Sequence, residues 1–215
     1  MRHLVLTLAA LLAAPLHADE LPPPDRAGEF DYYVLSLSWS PNWCRREGDA
    51  RRSPQCDDDR DLGWVLHGLW PQYETGWPQD CFSTHTPPSR AMTAAMADIM
   101  GTSGLAWYQW NKHGSCSGLS PTDYYALSRL AYDRIARPEV FRRLERAVTL
   151  PASVVEEAFL EANPALAPDG ITITCRDGMT QEARICLTRD LEPRDCGADV
   201  IRDCRMRDAL FEPID

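Results

Sequence analysis

The sequence predicts an α+β domain, and three observations carry that expectation. Residues 30–40 alternate large apolar side chains with serines, the middle of the chain carries helix caps and no strand period, and alternation returns at 171–175 and 183–188. An order of strand, helices, strand favours α+β over a regular βαβ repeat. With 215 residues, no low-complexity stretch and no internal duplication of domain size, the chain suits one domain.

Met1, Arg2 and His3 precede an apolar run over residues 4–14, and Pro15-Leu16-His17-Ala18 leads into acidic Asp19 and Glu20. A basic start, a short apolar stretch and a small residue at the cut read as a secretory signal peptide over residues 1–18. The run is too short to span a bilayer and lacks the amphipathic period of a core helix. No later stretch is long and apolar enough to cross a membrane. Pro22, Pro23 and Pro24 stiffen a leader over residues 19–29, leaving a single domain over 30–215 whose ordered fold begins near Phe30.

In residues 30–40, Tyr33, Leu35, Leu37 and Trp39 share one face and Ser36, Ser38 and Ser40 the other, which is a half-buried strand. Residues 64–67 read as a short second strand. Residues 51–61 carry mixed charge without periodicity, and 71–88 are rich in turn residues, so both are loops. Ser89 caps a helix to about residue 100, and Pro121-Thr122-Asp123 starts another that reaches about Ala136 before Pro138. Residues 142–148 and 153–162 also read as helical, ahead of the two closing strands.

Eight cysteines, at Cys44, Cys56, Cys81, Cys116, Cys175, Cys186, Cys196 and Cys204, all follow the proposed cut. An even count in an exported chain implies a disulfide framework. No Cys-x-x-Cys pair is present to suggest zinc. The formal charge of −10 becomes −11 when Arg2 leaves with the signal. That argues against a protein working by non-specific adhesion to nucleic acid or anionic membrane. It leaves room for an enzyme with a local positive site.

Beyond the signal lie three histidines, His67, His85 and His113. Two share a setting, Trp64-Val65-Leu66-His67-Gly68 and Trp110-Asn111-Lys112-His113-Gly114, both Trp-x-x-His-Gly. A glycine after each histidine permits a tight bend or close approach by a ligand, and each tryptophan offers a rigid wall. The bland alternative is a pair of core histidines beside packed indoles. The chain's one lysine among 22 basic residues is Lys112, directly before His113. A compact ammonium suits a phosphate or a developing oxyanion. All seven tryptophans lie between Trp39 and Trp110, with Tyr73, Phe82 and Tyr108 in the same window. Most belong to the core, and Trp70 is the best candidate to stack on a base. His85, in a Thr- and Pro-rich loop, reads as a surface residue.

Two histidines and a cation suit RNA cleavage, because the 2′-hydroxyl is an internal nucleophile beside the phosphorus. One imidazole removes its proton, the other protonates the leaving 5′-oxygen, and no metal is required.

Trp64-Val65-Leu66-His67-Gly68-Leu69-Trp70-Pro71 and Trp110-Asn111-Lys112-His113-Gly114-Ser115-Cys116 resemble, in the same order, the two active-site segments of the ribonuclease T2 family. Looser similarity at Leu35-Ser36-Leu37-Ser38-Trp39-Ser40-Pro41 and Ile185-Cys186-Leu187 extends the resemblance over most of the chain. It implies a central antiparallel β-sheet flanked by several α-helices. It also implies cleavage of single-stranded RNA to 2′,3′-cyclic phosphate ends, which are then hydrolysed to 3′-phosphates without metal or other cofactor. Carried over by position, His113 is the general base, His67 the general acid and Lys112 the transition-state cation. Trp70 would line the base site, with Tyr108 and Tyr73 as further substrate-binding candidates. Cys81 with Cys116 looks like the family bridge that pins the second motif. Cys44–Cys56 and a nested Cys186–Cys196 inside Cys175–Cys204 are secondary expectations.

One departure falls in the second motif. The family usually has His-Glu before its tryptophan, where this chain has Tyr108-Gln109. Gln109 cannot ionise, though its amide can hydrogen-bond a phosphate or hold Lys112, and Tyr108 brings no positive charge. Retained chemistry with an altered rate or pH dependence is expected. Two other readings compete: a catalytically impaired RNA-binding or signalling relative in which Gln109 marks decay, and a metal-dependent nuclease built on Asp57, Asp58 and Asp59. The partners expected are an RNA substrate and no membrane, for a monomer exported to a bacterial periplasm or secreted. The periplasm is favoured by the signal length and the absence of any Asn-x-Ser/Thr sequon.

Overall fold

The computed structural model describes residues 25–214, so the expected signal peptide and most of the leader lie outside the described residues. Six strands form one sheet: β1 (Tyr32–Trp39), β2 (Trp64–Gln72), β3 (Val148–Leu150), β4 (Ile171–Arg176), β5 (Met179–Leu187) and β6 (Ala209–Phe211). Their order is β2-β1-β5-β6-β3, with β4 also paired to β5. The central pairings are antiparallel, and β5 meets β6 in parallel at Met179 and Leu210. The helices are α1 (Ser40–Trp43), α2 (Asp49–Arg51), α3 (Arg90–Ala94), α4 (Ala97–Met100), α5 (Ser103–Lys112), α6 (Pro121–Arg134) and α7 (Ala152–Ala162). The fold is α+β, as expected.

Period-two alternation divides the sheet into two faces with different tasks. Tyr33, Leu35, Leu37 and Trp39 of β1 and Ala183, Ile185 and Leu187 of β5 enter the main core. There Trp39, Trp64, Phe141, Phe159 and Phe211 pack at centroid distances such as 4.6 Å for Trp39–Phe211 and 5.1 Å for Trp64–Phe159. The opposite face carries Val34 and Ser36 of β1 with Glu182, Arg184 and Cys186 of β5. Ser36 is buried, so the serine face is covered rather than solvated.

Helix α6 closes the outer edge of the sheet. Edge strand β2 has carbonyls without a ladder partner, and the hydroxyls of Tyr124 and Tyr132 donate to Leu69 O at 2.8 Å and Trp64 O at 2.9 Å. Tyr125 donates to Ala106 O at 3.0 Å and ties α6 to α5. The four disulfides are Cys44–Cys56, Cys81–Cys116, Cys175–Cys204 and Cys186–Cys196, the arrangement expected.

Several local expectations are corrected. The second strand runs on through Pro71 and Gln72, which an edge strand tolerates because no inner neighbour needs the missing N–H. Residues 142–148 are not a helix: a 3₁₀ turn at Glu139–Arg143 precedes β3, which pairs with β6 from the far end of the chain. The helix read over 89–100 is two short helices separated at Ala95 and Met96, with Ser89 capping the first as expected. Helix α5 carries the second motif and was not anticipated; its cap is Thr102, whose hydroxyl accepts the Leu105 N–H. The fold also starts before Phe30, since Gly28 N donates to Cys116 O at 2.8 Å.

Candidate active site

His67 reaches the site through a break in the β1–β2 ladder. Ser36 faces Gly68 and Leu37 faces Leu66, so His67 is an extra residue in β2, a β-bulge. The bulge lets Leu66 and Leu69, three apart, both enter the core while His67 turns to the opposite face. Helix α5 supplies the other half. Ala106 and Trp110, four apart, are buried, while Tyr108, Gln109 and Lys112 share the face toward the sheet. His113 leaves the helix at its C-cap, and the Cys81–Cys116 bridge anchors the turn that follows.

His67, Trp70, Tyr108, Gln109, Lys112 and His113 line one cavity of about 360 Å³. Trp70 packs against both histidines, 5.3 Å from the His67 ring and 5.2 Å from the His113 ring, and its Nε1–H donates to Gln109 Oε1 at 2.7 Å. Gln109 is buried and Tyr108 half exposed, with Lys112 Nζ 5.8 Å from the Tyr108 ring centroid. Tyr73 is not in the cavity. It follows Gln72 with the opposite orientation, packs on the main core and donates its hydroxyl to Asp25 Oδ1 at 3.3 Å. His85 is exposed, as read.

The repeated Trp-x-x-His-Gly pattern is explained by packing. Trp64 and Trp110 are core residues rather than walls of the cavity. A Cβ on Gly68 would lie 2.3 Å from both Trp70 Nε1 and Gln109 Oε1, and one on Gly114 would lie 2.8 Å from Trp110 and Tyr124 carbons. Each glycine therefore makes room for an aromatic neighbour beside its histidine.

The two imidazoles sit in unlike surroundings. Burial, then Lys112 and His67, push the His113 pKa down to about 3, so the ring is neutral at neutral pH. Its Nδ1 is buried with no hydrogen-bond partner among the described residues. His67 is about one-third exposed, and its Nδ1 lies 2.5 Å from Glu182 Oε1. Burial opposes ionisation of Glu182, but His67 and the Arg184 guanidinium outweigh it and hold the carboxyl below its ordinary range. Sequence reasoning missed Glu182, Arg184, Trp77 and Asp199, the last three of which line the cavity. Only their strand or loop setting was readable, not their partners across the fold.

Asp57, Asp58 and Asp59 are exposed, and the first two line a separate cavity with Asp49 and Glu212. Among the described residues, one close group of metal-capable side chains is found, Cys44, Asp49 and Cys56, and its two sulfurs are bonded to each other.

Residues 30–196 match the family model described as ribonuclease T2 family. The chain belongs to the ribonuclease T2 family. Among curated members it is 41% identical over 124 residues to a ribonuclease of Aeromonas hydrophila, covering 58% of this chain and 55% of that one. The chain spans about half the length of the curated bacterial ribonucleases it matches. Solved T2-type folds superpose over nearly the whole domain. Trichomaglin, described as an S-like ribonuclease, aligns with a TM-score of 0.67 and 20% identity over 87% of this chain and all of its own. RNase NT in complex with 5′-AMP aligns at 0.56 and 17% identity over 86% of this chain and 98% of its own.

Proposed function

We propose that this protein is an exported endoribonuclease that cleaves single-stranded RNA without a metal. The 2′-hydroxyl attacks the adjacent phosphorus to leave a 2′,3′-cyclic phosphate, which water then opens to a 3′-phosphate. His113 is the general base, His67 the general acid and Lys112 the cation facing the charged oxygens, while Trp70, Tyr108 and Gln109 shape the site. The observation that carries this reading is the pair of imidazoles in unlike surroundings, both packed against Trp70 in one cavity. His113 is held neutral, ready to accept a proton, and His67 Nδ1 faces the Glu182 carboxylate at 2.5 Å. An incoming phosphate anion opposes the Lys112 charge that depresses His113 and brings its basicity closer to the working range. A nucleotide in the related RNase NT structure fits this substrate class. Export is supported by the signal-peptide pattern of residues 1–18 and by four disulfides. No described helix is long and apolar enough to cross a membrane.

The decisive experiment is cleavage of single-stranded RNA in excess EDTA by the oxidised protein, beside His67→Ala and His113→Ala. Cyclic-phosphate ends from the wild type, with losses of about 10²–10⁴-fold in each variant, are expected. Activity that vanishes in EDTA and returns with a divalent metal would sink the two-histidine mechanism. Inactivity under all conditions would favour an RNA-binding role.

A further inference from the structure

Glu182 is the deepest charged group at the site, with 1% of its side chain exposed. Its two oxygens are divided between two partners. Oε1 faces His67 Nδ1 at 2.5 Å, and Oε2 accepts from Arg184 Nε at 2.9 Å and Nη2 at 2.7 Å. A carboxylate that deep is costly unless both oxygens are satisfied, and here they are. Both strands of the contact are bulged beside it. His67 is the extra residue of β2, and Gln181 is the extra residue of β5, because Thr174 faces Glu182 while Cys175 faces Thr180. Meanwhile Gln109, at the position where the family motif carries glutamate, cannot ionise and is engaged with the Trp70 indole.

We propose that Glu182 is a positioning carboxylate of this active site, holding His67 with a proton on Nδ1 and presenting Nε2 to the leaving oxygen, while Arg184 fixes the carboxylate in place. The inference rests on the ribonuclease reading above. In the first step the 2′-oxygen bonds to phosphorus as its proton passes to His113, the bond from phosphorus to the 5′-oxygen breaks, and His67 Nε2–H passes to that oxygen. His67 is left neutral with its remaining proton on Nδ1, in the hydrogen bond to Glu182. Water reverses the two proton transfers in the second step.

The test compares wild type, Glu182→Gln and Glu182→Asp on two substrates: an RNA oligonucleotide, whose leaving alkoxide needs a proton, and a ribonucleoside 3′-(4-nitrophenyl phosphate), whose leaving group departs without one. Glu182→Gln should lower kcat on RNA by about ten- to a hundredfold with little change in KM, and the loss on the aryl ester should be at least about tenfold smaller. Glu182→Asp should show the same selectivity with a smaller loss. Equal losses on both substrates would reduce Glu182 to a structural role, and no loss on either would overturn the proposal. ¹⁵N chemical shifts of the neutral His67 ring give a readout independent of turnover: the proton on Nδ1 is expected in the wild type. A wild-type ring protonated on Nε2 instead would refute the proposal even if Glu182→Gln does not fold. Failure of the wild type to cleave RNA would sink the ribonuclease reading and leave the ring measurement to decide the role of Glu182.

Discussion

Gly68 shows how little freedom single positions have at this site. A methyl group there would meet Trp70 Nε1 and Gln109 Oε1, the two ends of a hydrogen bond, at 2.3 Å. Gly68→Ala is expected to break that bond, lower stability by about 1–3 kcal/mol and reduce RNA cleavage at least about tenfold, as thermal unfolding and initial rates would show. Gln109→Glu tests the missing motif carboxylate. An anion beside His113 opposes the Lys112 charge and favours the imidazolium, so the acid limb of the pH–rate profile should move to higher pH. Profiles identical to the wild type would remove position 109 from the chemistry. The histidines and Lys112 were legible here because their motifs are local, whereas Glu182 lies 115 residues from His67 and nothing in either segment announces the other.

Among the elements, α5 and the turn after it bear the second motif. Thr102 caps the helix at one end, and Cys116, bridged to Cys81, anchors the turn beyond the other. Thr102→Ala should cost about 1 kcal/mol of stability in denaturant unfolding. Removing the bridge by Cys81→Ala with Cys116→Ala should cost about 4 kcal/mol, given a sequence separation of 35. That variant should also lose more activity than stability alone explains, because His113 is three residues from Cys116. Elements with a strong internal period, β1, β4, β5, α6 and α7, were readable along the chain. β3 and β6 were not, because three-residue strands have almost no period and exist through their pairing with each other.

At the scale of the whole molecule, one buried amide adds to the strand pairing that ties the C-terminal segment into the sheet. Asn42 Nδ2 donates to Thr180 O at 2.8 Å and Leu210 O at 2.9 Å, and its Oδ1 accepts from Glu212 N at 2.8 Å. Asn42→Ala should therefore destabilise the fold by about 3 kcal/mol and be seen first as loss of protection in residues 209–212. The global acid stability should also report on the site. His113 titrates near 6.5 when unfolded and near 3 when folded, so the unfolded chain binds the proton first. Its contribution is present above about pH 6.5 and is lost as the pH falls toward 3. Between pH 7 and 4, His113→Asn should lose less stability than the wild type by on the order of 2 kcal/mol in urea unfolding.

Short-range physics accounts for what could be read without coordinates. The α+β class follows from periods of two and of helical turns, the disulfide framework from an even cysteine count, and the proposed acid–base pair from two contiguous motifs. Packing decided the rest. The glycines after the histidines serve aromatic neighbours, Tyr73 turned to the core because alternation places it opposite Gln72, and Trp70 came to pack against both imidazoles. The carboxylate that faces His67 came from a strand far along the chain, since desolvating a charge demands partners that only the closed sheet brings within hydrogen-bond reach.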